Sequence, residues 1–152
     1  MNGYDVFGLP ADIHIEEEKG FITKVQFGKR GDFGEKTSAL LQCEQELREY
    51  FFEGRREFSV KLNPKGTEFQ KRVWEQLKKI PYGETRSYGE IAEAIGCKGG
   101  ARAVGNANNK NPIAIIVPCH RVIGANGKLV GYAGGINIKE MLLFMERKNV
   151  DK

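Results

Sequence analysis

Cysteine is scarce and unpaired: Cys43, Cys97 and Cys119 are an odd number with no paired spacing. A chain of 152 residues buries roughly 70% of its unfolded surface, so its core needs no covalent staples. That sets disulfide dependence aside and leads us to expect a reducing, cytoplasmic setting. Long apolar runs are lacking as well. The longest, Ile113 to Val117, is a strand's length, far short of the ~20 residues that span a bilayer, so membrane functions are set aside. The opening residues MNGYDVFGLP have neither the basic start nor the apolar run of a signal peptide. We find no internal repeat or low-complexity segment. Excess charge is small too: a net charge of +4 says little by itself about partners.

The distribution of that charge says more. Residues 1–62 hold 9 lysines and arginines against 12 acidic residues, whereas residues 63–152 hold 15 against 8. The change falls at Lys61-Leu62-Asn63-Pro64-Lys65-Gly66, whose Asn-Pro and Lys-Gly pairs read as a turn or linker. We therefore expect an α/β fold of the α+β kind in two parts. Residues 1–62 would form an amino-terminal domain, and residues 63–152 a mainly helical one.

In the first part, Ile13 and Ile15 alternate with polar neighbours, Glu18-Lys19-Gly20 supplies a turn, and Phe21, Thr23, Val25 and Phe27 continue with period two. This predicts a hairpin, followed by more irregular chain. From about Lys36 to Phe52, Leu40, Leu41, Leu47, Tyr50 and Phe51 recur at helical spacing up to Gly54, with Cys43 read as a small core thiol.

In the second part, Thr67 with Gln70 and Ser87 with Glu90 form two capping-box patterns. The first opens a helix burying Phe69, Val73, Trp74 and Leu77 up to about Ile80; the second opens a short helix with Ile91, Ala92 and Ile95, stopped by Gly96. Another short helix near Gly100 carries Ala101, Arg102, Ala103, Val104, Ala107 and Asn108. Two short helices across a glycine-containing turn fit a helix-turn-helix, as ordinary core helices also would.

The stretch from Asn111-Pro112 to Pro118-Cys119-His120-Arg121-Val122 carries chemistry. Pro118 cannot donate a backbone hydrogen bond and should break regular structure just before Cys119. A thiol is nucleophilic as the thiolate, and His120 and Arg121 supply an imidazole and a positive charge that favour it. Adjacent side chains point apart in extended chain, so His120 would reach the sulfur through a water or a turned backbone. The last helix is expected to start with Asn137 as cap and Glu140 at the capping-box position, and to bury Met141, Leu142 and Met145. Glu146, on the rim of that face, is either an acid orienting His120 or an exposed carboxylate. On the residues alone, Cys119 is either a nucleophile or a buried thiol.

Pro118-Cys119-His120-Arg121-Val122, with Asn111-Pro112 upstream and Gly131-Tyr132-Ala133-Gly134-Gly135 downstream, resembles the active-site signature of the O6-alkylguanine-DNA alkyltransferases. The likeness extends through Pro81-Tyr82-Gly83, Ser87-Tyr88, Ala101-Arg102-Ala103-Val104-Gly105 and Lys139-Glu140 to Glu146. Residues 1–60 share only the hairpin-then-helix plan.

The resemblance implies repair of duplex DNA by irreversible alkyl transfer from O6-alkylguanine, and less efficiently O4-alkylthymine, with the damaged nucleotide rotated out of the stack. It assigns Cys119 as acceptor, His120 as base through water, Glu146 as its orienting acid, Asn111 as support for the water and the turn, and Tyr88 as donor to the leaving base. It places Arg102 in the vacated stack and Ala101, Ala103 and Gly105 against the groove, and Arg121 is counted among the DNA contacts. Val122 and Ala133 would read the guanine edge, Tyr132 would wall the pocket, and Lys139 would support Tyr88 or simply occupy a first helical turn. A monomer without cofactor is expected. Some family members hold zinc in the amino-terminal half, but here that half offers only Cys43 and His14, too few ligands for a zinc site.

Overall fold

Alternating apolar residues give the amino-terminal part its sheet. The computed structural model describes residues 1–129, 132 and 134–151. Strands β2 (Ile13–Glu18) and β3 (Phe21–Phe27) form the expected hairpin, and β1 (Asn2–Val6) adds to β2 as a third antiparallel strand. Tyr4 and Val6 of β1 join Ile13, Ile15, Ile22 and Val25 in the core. Helix α1 (Ser38–Glu53) packs on this sheet, capped by the Thr37 side chain and ended by Gly54 at φ 72°. Its buried face is Leu40, Cys43, Glu46, Leu47, Tyr50 and Phe51, while Leu41, expected in the stripe, is exposed.

His14 lies buried between Asp5 Oδ1 and Glu16 Oε2, each 2.8 Å from a ring nitrogen. Burial pushes the Cys43 thiol far up, with Glu46 and Glu44 adding to the effect. Both side chains are thus built into the unit's interior.

The chain divides into two compact units, Met1–Lys65 with Pro112–Ile116, and Gly66–Asn111 with Val117–Lys152. Pro112–Ile116, a segment from the basic half, therefore belongs with the first unit. Its backbone runs beside β3, with Val25 N donating to Pro112 O at 2.9 Å and Ala114 N to Val25 O at 2.8 Å. Ile115 sits at φ 71° inside a tight turn closed by Ile116 N to Ala114 O at 2.8 Å. A β-branched residue is strained at that φ, and the flanking sheet bonds hold it there.

In the second unit both capping boxes form. Thr67 opens α2 (Glu68–Leu77) and Ser87 opens α3 (Tyr88–Ala94), the latter with Ser87 N donating to Glu90 Oε1 at 2.9 Å and Glu90 N donating to Ser87 Oγ at 3.0 Å. Gly96, at φ 75°, makes the turn after α3. Helix α4 (Ala101–Asn109) follows and packs against α3 and α2. Trp74 Nε1 donates to Ala107 O at 2.8 Å, fixing α4 to α2. A two-residue parallel ladder joins β4 (Arg86–Ser87) to β5 (Val122–Ile123). This ladder brings the start of α3 to the chain that leaves Cys119.

Helix α5 (Ile136–Val150) departs from expectation at its start. Its cap is Gly135 at φ 97°, with no side-chain cap, and Lys139 N already donates to Gly135 O at 3.1 Å. Asn137 is therefore inside the first turn and cannot cap. The buried face is Lys139, Leu142 and Glu146 rather than a methionine stripe, with Met141 and Met145 only half-buried. No helix among the described residues is long and apolar enough to cross a membrane.

Candidate active site

Pro118 breaks the chain as its missing N–H requires. At φ −80° and ψ 65° it sits in a tight turn closed by Cys119 N to Val117 O at 2.7 Å. Cys119–Arg121 then form one 3-10 turn. The backbone is thus turned rather than extended at the point where adjacent side chains must converge.

Cys119 is buried, with 6% of its surface exposed. Burial pushes its thiol up, opposed by hydrogen bonds from Asn111 and Tyr132 and by the charge of Lys139. The thiol is consequently protonated at rest, and reaction requires a base. Asn111 also donates Nδ2 to Val117 O at 2.8 Å, so one amide serves both the turn and the sulfur.

His120 and Glu146 are each fully buried, and Nε2 lies 2.6 Å from Glu146 Oε2. Burial lowers the imidazole's basicity, against the opposing pull of Glu146. For Glu146, burial alone would raise the carboxyl, but the charge and hydrogen bond of His120, together with Arg121, outweigh it and hold it far below the ordinary value of 4.5. An ionised Glu146 must accept, so His120 carries its proton on Nε2. Nδ1, buried and without a hydrogen-bond partner, keeps the lone pair of a base. The α5 rim position therefore faces inward, and the exposed alternative for Glu146 falls.

Arg121 differs from its expected role. It is buried, with Nε 2.8 Å from Glu146 Oε1, Nη2 3.1 Å from Oε2 and Nη1 donating to Ile80 O at 2.8 Å. Its guanidinium also lies 5.5 Å from the Tyr82 ring centroid. The side chain is committed to Glu146 and to the Ile80 carbonyl, which does not fit the expected DNA contact.

Lys139 is fully buried, donating to Val122 O at 2.6 Å, with its ammonium 5.9 Å from the ring centroids of both Tyr88 and Tyr132. Burial lowers its basicity, while the thiolate form of Cys119 would raise it. The hydroxyls of Tyr88 and Tyr132, residues that are half-buried as a whole, are both pushed up, by burial first and then by the charge that Cys119 would carry. Both phenols therefore remain donors at neutral pH. Val122 is buried and its carbonyl receives Lys139. Ala133 lies outside the described residues.

On α4 the faces separate cleanly. Val104, Ala107 and Asn108 are buried; Arg102 and Ala103 are exposed, and Ala101 and Gly105 are half-buried. Gly105 faces the Tyr88 ring, where an added Cβ would lie 3.8 Å from it. Sequence reasoning overlooked Asn108, whose Nδ2 donates to Cys119 O at 3.3 Å. A polar residue at a core position of α4 was the available signal.

Residues 68–148 match the family model described as the DNA-binding domain of 6-O-methylguanine DNA methyltransferase. The chain belongs to this methyltransferase family. A methylated-DNA–protein-cysteine methyltransferase of Methanosarcina acetivorans is 65% identical over 105 residues, covering 69% of this chain and 67% of the relative. One from Mycolicibacterium paratuberculosis is 56% identical over 120 residues, covering 79% and 73%. Among solved structures, Mycobacterium tuberculosis OGT in complex with DNA superposes with a TM-score of 0.87 at 45% identity, over 96% of this chain and 92% of that one. The O6-methylguanine DNA methyltransferase of Methanococcus jannaschii gives 0.69 at 27% identity, over 94% and 92%. Every side chain of the cluster described above, from Tyr88 to Glu146, falls inside the segment matched to the methyltransferase family.

Proposed function

We propose that this protein repairs alkylated DNA by moving the alkyl group of O6-alkylguanine, and more slowly that of O4-alkylthymine, from duplex DNA to Cys119 Sγ. The observation that carries the reading is the tautomer forced on His120. With Nε2 committed to Glu146 at 2.6 Å, Nδ1 is the free base of a buried relay beside a buried thiol.

In the step, the thiol proton passes to His120 Nδ1 through an intervening water, and Glu146 stabilises the imidazolium. Sγ attacks the alkyl carbon, the carbon–O6 bond breaks, and its electron pair goes to the guanine. Tyr88, kept protonated, donates to the leaving base, and Lys139 stands behind both tyrosines. Asn111 and Tyr132 stabilise the thiolate through their hydrogen bonds to sulfur. Val122 would present backbone to the guanine edge. The product is a thioether with no hydrolytic route back, so each molecule acts once.

A base inside a duplex is out of reach, so the nucleotide must be extruded, and a lesion that pairs badly costs less to extrude. The exposed Arg102 on α4 supports insertion into the vacated stack, with Ala101, Ala103 and Gly105 allowing close approach to the minor groove. Residues 63–152 would carry both binding and transfer, and residues 1–62 would support them, in a cytoplasmic monomer.

The DNA side of the reaction tests this. A duplex whose restriction site is blocked by O6-methylguanine should become cleavable after incubation with the protein, in proportion to protein added. A site that stays blocked at excess protein would overturn the reading.

A further inference from the structure

We infer that Asn108 is a positioning residue for the nucleophile, holding the backbone of Cys119 to helix α4. The inference rests on the reading of Cys119 as alkyl acceptor.

The backbone around Cys119 is fixed from several sides. Its N–H donates to Val117 O at 2.7 Å, and its carbonyl accepts from the Val122 N–H and from Asn108 Nδ2 at 3.3 Å. Asn111, three residues after Asn108, donates to Val117 O at 2.8 Å. Two side-chain amides one helical turn apart thus hold alternate carbonyls on either side of Pro118.

Asn108 is 2% exposed, and its Oδ1 is buried without a hydrogen-bond partner. A buried acceptor left unpaired is costly, and such a group in a core position calls for a role other than stability. The Cys119 carbonyl keeps the Val122 N–H without the amide. What the amide adds is a direct tie between the reacting residue and α4. The opposite face of that helix exposes Arg102 and Ala103, and Trp74 clamps the neighbouring carbonyl of Ala107 at 2.8 Å. Displacement of a reacting atom by about 1 Å can cost on the order of 100-fold in rate, so one such tie bears directly on transfer.

Asn108→Leu removes donor and orphaned acceptor together at similar volume. Three quantities are to be measured beside the wild type: thermal midpoint, Kd for a lesion duplex, and the single-turnover transfer rate at saturating protein. The expected result is a midpoint at or above wild type, an unchanged Kd, and a transfer rate lower by about 10- to 100-fold. Asn108→Ala should show the same loss of rate.

Wild-type transfer in Asn108→Leu would overturn the inference. So would a loss confined to Kd, which would make Asn108 a DNA-binding element, or failure of Asn108→Leu to fold, which would make it a core stability residue. Absence of transfer by the wild type in the same assay would instead sink the reading of Cys119 as acceptor.

Discussion

Arg121 shows how much a single side chain changes once its partners are known. It was counted among the DNA contacts, yet two of its nitrogens are spent on Glu146 and a third on the Ile80 carbonyl. Removing one partner of a buried ion pair leaves the other charge uncompensated, at a cost of about 3–5 kcal/mol. Arg121→Met should therefore lower unfolding stability by that order, as read by denaturant titration. A variant that loses DNA affinity while keeping its stability would return Arg121 to the DNA surface. The same carboxylate sets the pH response of transfer. Because burial keeps His120 below its ordinary value of 6.5, the imidazole is neutral and able to accept a proton at neutral pH. Single-turnover rates should hold as pH falls from 8 towards that value and decline only in more acidic solution. The residue types of this relay were legible in the sequence, but its connections were not. Nothing in the order of residues says that Glu146 faces inward, that Lys139 loses all solvent, or that Asn108 reaches the Cys119 carbonyl. Each of these depends on which face of α4 or α5 turns towards the 3-10 turn.

At the scale of elements, local chemistry was legible wherever a side chain closes a helix on itself. Thr67–Gln70 and Ser87–Glu90 are reciprocal bonds within four residues, so pattern and structure coincide. The start of α5 is the opposite case, for its Asn137–Glu140 pattern is overridden by Gly135, whose φ of 97° sets the turn with no side-chain signal. Strand β1 was missed because Asn2, Gly3 and Asp5 are poor strand formers, and its pairing to β2 comes from outside the local sequence. Ser87 deserves a test of its own, since it caps the helix that begins with Tyr88. Ser87→Ala should cost about 1 kcal/mol of stability and slow transfer through a less constrained Tyr88; unchanged stability and rate would remove the cap from the account. On α4, Arg102→Ala should weaken binding to lesion duplex more than to intact duplex. Equal losses on both would make Arg102 a phosphate contact instead.

For the whole molecule, the modest net charge of +4 hides a basic carboxy-terminal region that binds through phosphate neutralisation in the proposed function. Affinity for duplex should fall steadily with added salt; a flat response between low and moderate salt would contradict it. Acid should destabilise the fold, and the sign follows from proton binding. His120 takes a proton near 6.5 when unfolded and resists it when folded, while Glu146 does so near 4.5 when unfolded and stays ionised far lower when folded. In both cases the unfolded chain binds more protons, so stability should decline as pH drops below about 6.5 and continue to decline through the carboxylate range. A thermal midpoint unchanged between pH 7 and pH 4 would contradict that linkage. The central claim is that one thiol among three is consumed by a single transfer. It is tested most directly by mass spectrometry of the protein after incubation with excess O6-methylguanine duplex. The expected result is one added methyl per chain, located on the peptide containing Cys119 and absent from Cys119→Ala. A methyl on Cys43 or Cys97, one retained in Cys119→Ala, or no added mass at all would contradict the account.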